Sequence, residues 1–113
     1  MHELSLSMNT VDTVVEQAKK QGFHRVTRVT LSIGTLSCIE PHALATGFEF
    51  ATRGTIAEGA KLAIESVQAQ VWCMECQRYI EMDERGVCCT HCQGYQLKVE
   101  TGDELMIKNI EVE

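Results

Sequence analysis

Two cysteine pairs, Cys73-Met74-Glu75-Cys76 and Cys89-Thr90-His91-Cys92, stand 12 residues apart in a chain of 113. A CxxC turn brings two thiolates to one side of the backbone, and two such turns facing each other complete a tetrahedron about zinc. Four sulfur ligands leave no position open for water, so the zinc this pattern predicts is structural rather than catalytic. Two disulfides, or an iron centre on the same sulfurs, are the competing readings. Cys88 could pair with Cys92 in place of Cys89, but the two-residue gap selects Cys89. Cys88 and Cys38 then read as small thiols without a role, and His91 as a solvated residue inside the second turn.

The second feature is the opening tripeptide, Met1-His2-Glu3. A histidine this close to a terminus is ordinarily just exposed. Here, however, a free α-amine, the amide nitrogens that follow it and the His2 imidazole can close adjacent small rings about one ion. Such a nitrogen set suits square-planar nickel(II) or copper(II). Amide nitrogens bind these ions only after losing their protons. The first N–H groups of a helix lack an intrahelical partner, so a helix that starts here loses no helical hydrogen bond in the process. The positive end of the helix favours the deprotonated amides, and Glu3 supplies a compensating negative charge. The bulk of His2 also discourages removal of Met1.

Both features need elements to position them. Leu4, Met8, Val11, Val15 and Ala18 recur at spacings of three and four, with Val14 widening the stripe, which predicts an amphipathic helix over 4–21 closed by Gly22. Val29, Leu31 and Ile33 alternate with polar residues and predict a strand over 24–33. Ser37 and Glu40 have capping-box spacing, Pro41 alternatively suits the first helical position, and Leu44, Phe48 and Ala51 share a face of a helix over 41–53. Leu62 and Ile64 lie on one face of a strand over 61–67, so strand, helix and strand can form a right-handed parallel crossover. A last strand is expected over 105–112, with a slip of apolar phase between Ile107 and Ile110 that a bulge would explain. The expected fold is a two-layer α/β arrangement, two helices on a three-stranded sheet. Residues 1–69 and 102–113 form that domain, and residues 70–101 form an inserted four-cysteine ribbon too small to fold on its apolar residues alone.

The overall balance is 10 Lys+Arg against 16 Asp+Glu, a net charge of −6, with −1 over residues 1–70, −2 over 71–100 and −3 over 101–113. No basic cluster is present to displace counterions from phosphates, so neither nucleic acid nor an anionic membrane is an expected partner. Six cysteines, five of them within 20 residues, favour metal over disulfides in a reducing cytoplasm. No apolar run is long enough to span a bilayer, and no secretory signal pattern precedes the first helix.

Taken together, these stretches resemble the HypA/HybF family of hydrogenase maturation nickel chaperones. The likeness rests on Met1-His2-Glu3-Leu4, Arg25-Val26-Thr27, Ile33-Gly34, Leu36-Ser37-Cys38 and Gly54-Thr55 in the first half. It continues through Trp72-Cys73 to Cys76, Cys89 to Cys92 with Gly94, Thr101-Gly102-Asp103 and the closing Ile110-Glu111-Val112-Glu113. The resemblance implies a cytoplasmic carrier and not an enzyme. Nickel(II) would be its cargo, held by His2 and Glu3, and structural zinc would sit on Cys73, Cys76, Cys89 and Cys92. It implies work with a HypB-like accessory GTPase and delivery to the large subunit of nickel-iron hydrogenase, and leaves monomer and homodimer open. Glu40 is a further carboxylate candidate near the nickel. Thr90 stands where family members commonly have proline, and Gln93 where some have histidine. The knuckle should still close, but a pH-responsive coupling through a flanking histidine lacks that residue, with His91 the nearest substitute. Three rival readings remain: a zinc-ribbon adaptor between proteins in metalloenzyme assembly, a thiol redox enzyme using a metal-free CxxC pair, and a nucleic-acid-binding ribbon.

Overall fold

The computed structural model describes residues 2–82, 84 and 86–113, with His2 described in its backbone only. The chain runs α1 (His2–Lys20), β1 (Val26–Gly34), α2 (Pro41–Thr52), β2 (Lys61–Val67), β3 (Ala69–Cys73), β4 (Arg78–Met82), β5 (Leu97–Thr101) and β6 (Leu105–Val112). These form two three-stranded sheets, ordered β2-β1-β6 and β4-β3-β5. Two compact units result. The first holds the described residues up to Leu31, with Ile39–Glu65 and Ile107–Glu113; the second holds Ser32–Cys38 and Ser66–Met106. Among the described residues no helix is long and apolar enough to cross a membrane.

In the first unit, the buried face of α1 consists of Ser7, Thr10, Val11, Val14 and Ala18. Leu4 and Met8, expected on that face, are 43% and 53% exposed. The reason lies in how α1 meets α2. The Ser7 hydroxyl sits 2.7 Å from the Glu3 carbonyl and 2.9 Å from the Leu44 carbonyl. A Cβ on Gly47 would come within 2.7 Å of that same hydroxyl. Two small residues thus form the closest contact, and turning Ser7 inward turns Leu4 and Met8 outward. The C-terminus of α1 ends as expected, with Gly22 left-handed (φ 84°), its N–H on the Lys19 carbonyl and the Phe23 N–H on the Ala18 carbonyl.

At the start of α2 the structure chooses between the two expected signals. Glu40 is itself the N-cap, its carboxylate accepting the Ala43 N–H at 2.7 Å, and Pro41 occupies the first helical turn. Ser37 is not the N-cap residue; its N–H donates to the Gly34 carbonyl. Behind these helices β1 is the central strand, with Val26, Val29 and Leu31 fully buried. Arg25 and Glu113 exchange both backbone hydrogen bonds, so β6 runs antiparallel to β1. The phase slip expected in β6 is present, with Lys108 and Asn109 exposed between half-buried Ile107 and Ile110. The paired strand shifts as well, since Val26 and Val29 are both buried on either side of exposed Arg28.

The second unit begins where the ends of β1 and β2 lie side by side, the Thr35 N–H donating to the Val67 carbonyl, which makes that pair parallel. Its ribbon contains strands the sequence reading did not foresee. In β3, Val71 pairs with Ile80 and with Val99, and Cys73 with Arg78 and with Leu97, both neighbours antiparallel. The alternation of Ala69, Val71 and Cys73 was available as a signal, but five residues is short and the cysteines obscured it. These side chains meet Leu36, Ile80, Met82 and Cys89 in a small core. On the other face the Trp72 and Tyr79 rings pack edge to face at 4.9 Å, and the Tyr79 hydroxyl donates to Glu100.

Gly102 fixes how tightly this unit closes. It is left-handed (φ 90°), a Cβ on it would overlap the backbone of Ala69, and its carbonyl accepts the Leu36 N–H at 2.8 Å. Gly102→Ala should therefore cost about 2–4 kcal/mol in urea unfolding, combining left-handed strain with overpacking. Gly22→Ala, equally left-handed but with open space around it, should cost only about 1 kcal/mol. Equal losses in the two variants would show that close packing at Gly102 contributes nothing.

Candidate metal centres

Each cysteine pair is closed by the same backbone device. In the first turn the Gln77 N–H donates to the Cys73 carbonyl, and in the second the Gln93 N–H donates to the Cys89 carbonyl, both at 2.9 Å. Gln77 and Gln93 are left-handed, with φ of 54° and 60°. Those two positive angles let each chain double back and present both sulfurs on one side. The turns are then tied to their surroundings, the Met74 N–H to the Gln96 carbonyl and the Cys89 N–H to the Gly94 carbonyl. Gly94 has no room for a side chain, since a Cβ there would collide with the Glu75 carboxylate.

The four sulfurs of Cys73, Cys76, Cys89 and Cys92 lie within 4.8 Å of one another. Cys73 Sγ is 3.6 Å from Cys92 Sγ, and Cys76 Sγ is 3.8 Å from Cys89 Sγ. A regular tetrahedron with zinc–sulfur bonds of about 2.3 Å has edges of about 3.8 Å. The spacing fits zinc, and is almost twice the roughly 2.05 Å of a disulfide. Cys88 is half-buried and outside this group, and Cys38 is exposed. The His91 backbone N–H points at Cys89 Sγ (3.4 Å), while its ring lies 3.5 Å from the Arg78 guanidinium.

The electrostatics of the cluster are unequal. Cys76 is pushed up to about 12, first by burial and then by hydrogen bonds with the other sulfurs. Cys89 falls to about 7, because the Cys92 N–H, assisted by that of His91, favours its thiolate against the effect of burial. At Cys92 the Gly94 N–H pulls downward, but burial and the hydrogen bonds with Cys73 and Cys89 outweigh it and raise the thiol. One sulfur is thus prepared as a thiolate while two neighbours hold their protons.

The second candidate centre lies at the start of the first unit. Met1 and the His2 side chain are outside the described residues, so the amine–amide–imidazole chelate is not itself described. Its immediate setting is. Glu3 reaches the first turn of α2, where its Oε2 accepts the Glu40 N–H at 3.3 Å. The Glu40 carboxylate is turned to the Ala43 N–H. Glu3 and Glu40 therefore meet through carboxylate and backbone rather than as two carboxylates facing one point. His42, not singled out by the sequence reading, sits two residues further along and is exposed.

Comparison with known proteins identifies the family. A family model described as "Hydrogenase/urease nickel incorporation, metallochaperone, hypA" matches residues 1–112. The hydrogenase maturation factor HypA of Aeromonas hydrophila is 44% identical over 112 residues, covering 99% of each chain. HybF of Salmonella typhimurium is 45% identical over 113 residues and covers both chains fully. Among solved structures, the Ni metallochaperone HypA from Helicobacter pylori matches the fold with a TM-score of 0.70 at 22% identity, over 97% of this chain and 96% of that one. A solution structure of a HypA protein gives 0.73 at 23% identity, over 99% and 96%. The fold and the near-complete sequence match agree, and the chain belongs to the HypA/HybF family of hydrogenase maturation nickel metallochaperones.

Proposed function

We propose that this chain carries nickel(II) on its first residues and helps insert it into the large subunit of nickel-iron hydrogenase, working with a HypB-like GTPase in the cytoplasm. The observation that carries the reading is the match to a nickel-incorporation family over residues 1–112, a range that includes Met1-His2-Glu3. The α-amine, the amide nitrogens that follow it and the His2 imidazole supply the donors. Because the Glu3 carboxylate already accepts the Glu40 N–H, the backbone amide of Glu3 is the better-placed contributor to that set. No bond of the cargo's acceptor is made or broken by a catalytic group. The chain presents the ion, and the acceptor's donors replace its own one by one, so the free ion is never released. The functional division follows the reading of the sequence, residues 1–69 with 102–113 for nickel and 70–101 for zinc.

The zinc in this proposal is held by Cys73, Cys76, Cys89 and Cys92, whose sulfur spacing fits it. When bound it supplies structure, cross-linking two turns of a ribbon with a small core. A four-thiolate shell leaves no coordination position for a substrate.

Two measurements test these assignments. His2→Ala, or one extra residue ahead of Met1, should abolish nickel binding in titration calorimetry while leaving one zinc per chain. Undiminished nickel affinity in either variant would sink the N-terminal assignment. Zinc uptake by metal-free protein at pH 7 should release at least roughly two protons, since ligating thiols must ionise and Cys76 and Cys92 both resist ionisation. Apparent zinc affinity should fall further below pH 7, where Cys89 also takes up its proton. Calorimetry in buffers of different ionisation enthalpy reads the proton count, and release of fewer than one would mean the four cysteines do not bind zinc as thiolates.

A further inference from the structure

Three large apolar side chains lie exposed on the two helices of the first unit. Leu4 and Met8 follow one another on successive turns of α1 and are 43% and 53% exposed, and Phe50 on α2 is 56% exposed. Between Leu4 and Phe50 the helices leave an open hollow of about 400 Å³, lined also by Ala43, Thr46 and Gly47. Apolar surface gathered in this way marks a face that binds protein.

The outward stripe of α2 determines what fits that face. Ala43, Thr46, Phe50 and the C-cap Arg53 are exposed at spacings of three and four, small side chains toward the start of the helix and large ones toward its end. The Arg53 guanidinium lies 4.4 Å over the Phe50 ring, so the two project as one group. Phe50 stands about two helical turns beyond Ala43. A second α2, antiparallel to the first and related to it by a two-fold axis near Thr46 and Gly47, therefore sets each Phe50 over the Ala43 and the hollow of the other copy. The same operation sets Arg53 opposite Glu40, which holds Glu3 beside it at the helix start. Arg53 can make that exchange, because its pair with Glu49 is 3.8 Å long and exposed on both sides. Antiparallel helices also bring opposite ends of their dipoles together.

From this complementarity we infer that the face shared by α1 and α2 is the interface of a homodimer, isologous about a two-fold axis, with Phe50 of each copy seated in the hollow of the other. One face supplies both the projection and the recess, and both signs of charge. That is the requirement for self-association, and a foreign partner imposes no such condition. The inference goes beyond the nickel assignment and does not depend on it.

Sedimentation equilibrium of untagged, zinc-loaded protein without nickel, over about 1–300 μM, covers the affinities of a modest interface. The mass should rise to that of two chains. Phe50→Ala removes the projection from both copies and should weaken dimerisation at least about tenfold. Ala43→Arg fills the recess and should do the same. Arg53→Glu sets a carboxylate against Glu40 and should weaken association most at low salt. All three positions are exposed, so the helical circular dichroism should not change. A chain that stays monomeric over the whole range overturns the inference and leaves the face to a different protein. A dimer whose constant is unchanged in both Phe50→Ala and Ala43→Arg also overturns it, since association then uses another surface. Neither result alters the nickel assignment, which the His2→Ala titration decides separately.

Discussion

Four clustered sulfur atoms, two of them part of an apolar core, govern the ribbon. Cys73 and Cys89 are completely buried and belong to the same cluster as Val71, Ile80 and Met82. As neutral thiols they pack like small apolar groups. As thiolates they would bring charge into that core, which burial opposes unless a cation compensates. The high value for Cys76, driven first by burial, expresses the same conflict. Only Cys89 escapes it, through the Cys92 and His91 N–H groups, and a divalent ion would make the fully ionised set compatible with a closed core. Much of the unit's local geometry serves that convergence. The left-handed glutamines after each pair turn the chain, Gly94 makes room for Glu75, and β3 delivers Cys73 at its last residue.

In the first unit the governing contact is smaller. Ser7 against Gly47 sets how closely α1 approaches α2, and that approach brings Glu3 to the Glu40 N–H. A leucine at position 7 would satisfy the hydrophobic pattern better and would push the helix ends apart. Leaving Leu4 and Met8 exposed is the consequence, and it places apolar surface on the first turns of α1. Thus a packing choice at the sixth residue of the helix determines where Glu3 meets α2.

Most of this organisation was legible in the sequence, and what escaped it did so for identifiable reasons. The long elements declared themselves by period: β1 through Val29, Leu31 and Ile33, and α2 through Leu44 and Phe48. The CxxC spacing identified the four clustered cysteines and separated Cys89 from Cys88, because the turn geometry tolerates two intervening residues. The inward face of α1 was misplaced because hydrophobicity was the criterion, whereas Ser7 and Thr10 are buried polar residues. Strands β3, β4 and β5 have five residues each, too few for periodicity to stand out from the cysteine motif. Ser37 and Glu40 offered a capping box, but the carboxylate of Glu40 reaches the Ala43 N–H directly, so the box was not needed.

On the proposed reading two divalent ions have to be kept apart in one small protein, and affinity alone does not do it, because nitrogen and sulfur sites that bind nickel(II) also bind zinc(II). The donor sets differ instead in softness, geometry and access. Four soft sulfurs at tetrahedral spacing, two of them sealed from solvent, match zinc and disfavour the planar nitrogen field that nickel accepts. At the other centre the donors proposed for nickel are harder nitrogens at an exposed helix start. Exchange at the sulfur site would require opening a core, whereas exchange at the proposed N-terminal site would require only that protons return to the amides and another ligand enter. On that reading a resident ion and a travelling one are distinguished by what must open for each to leave.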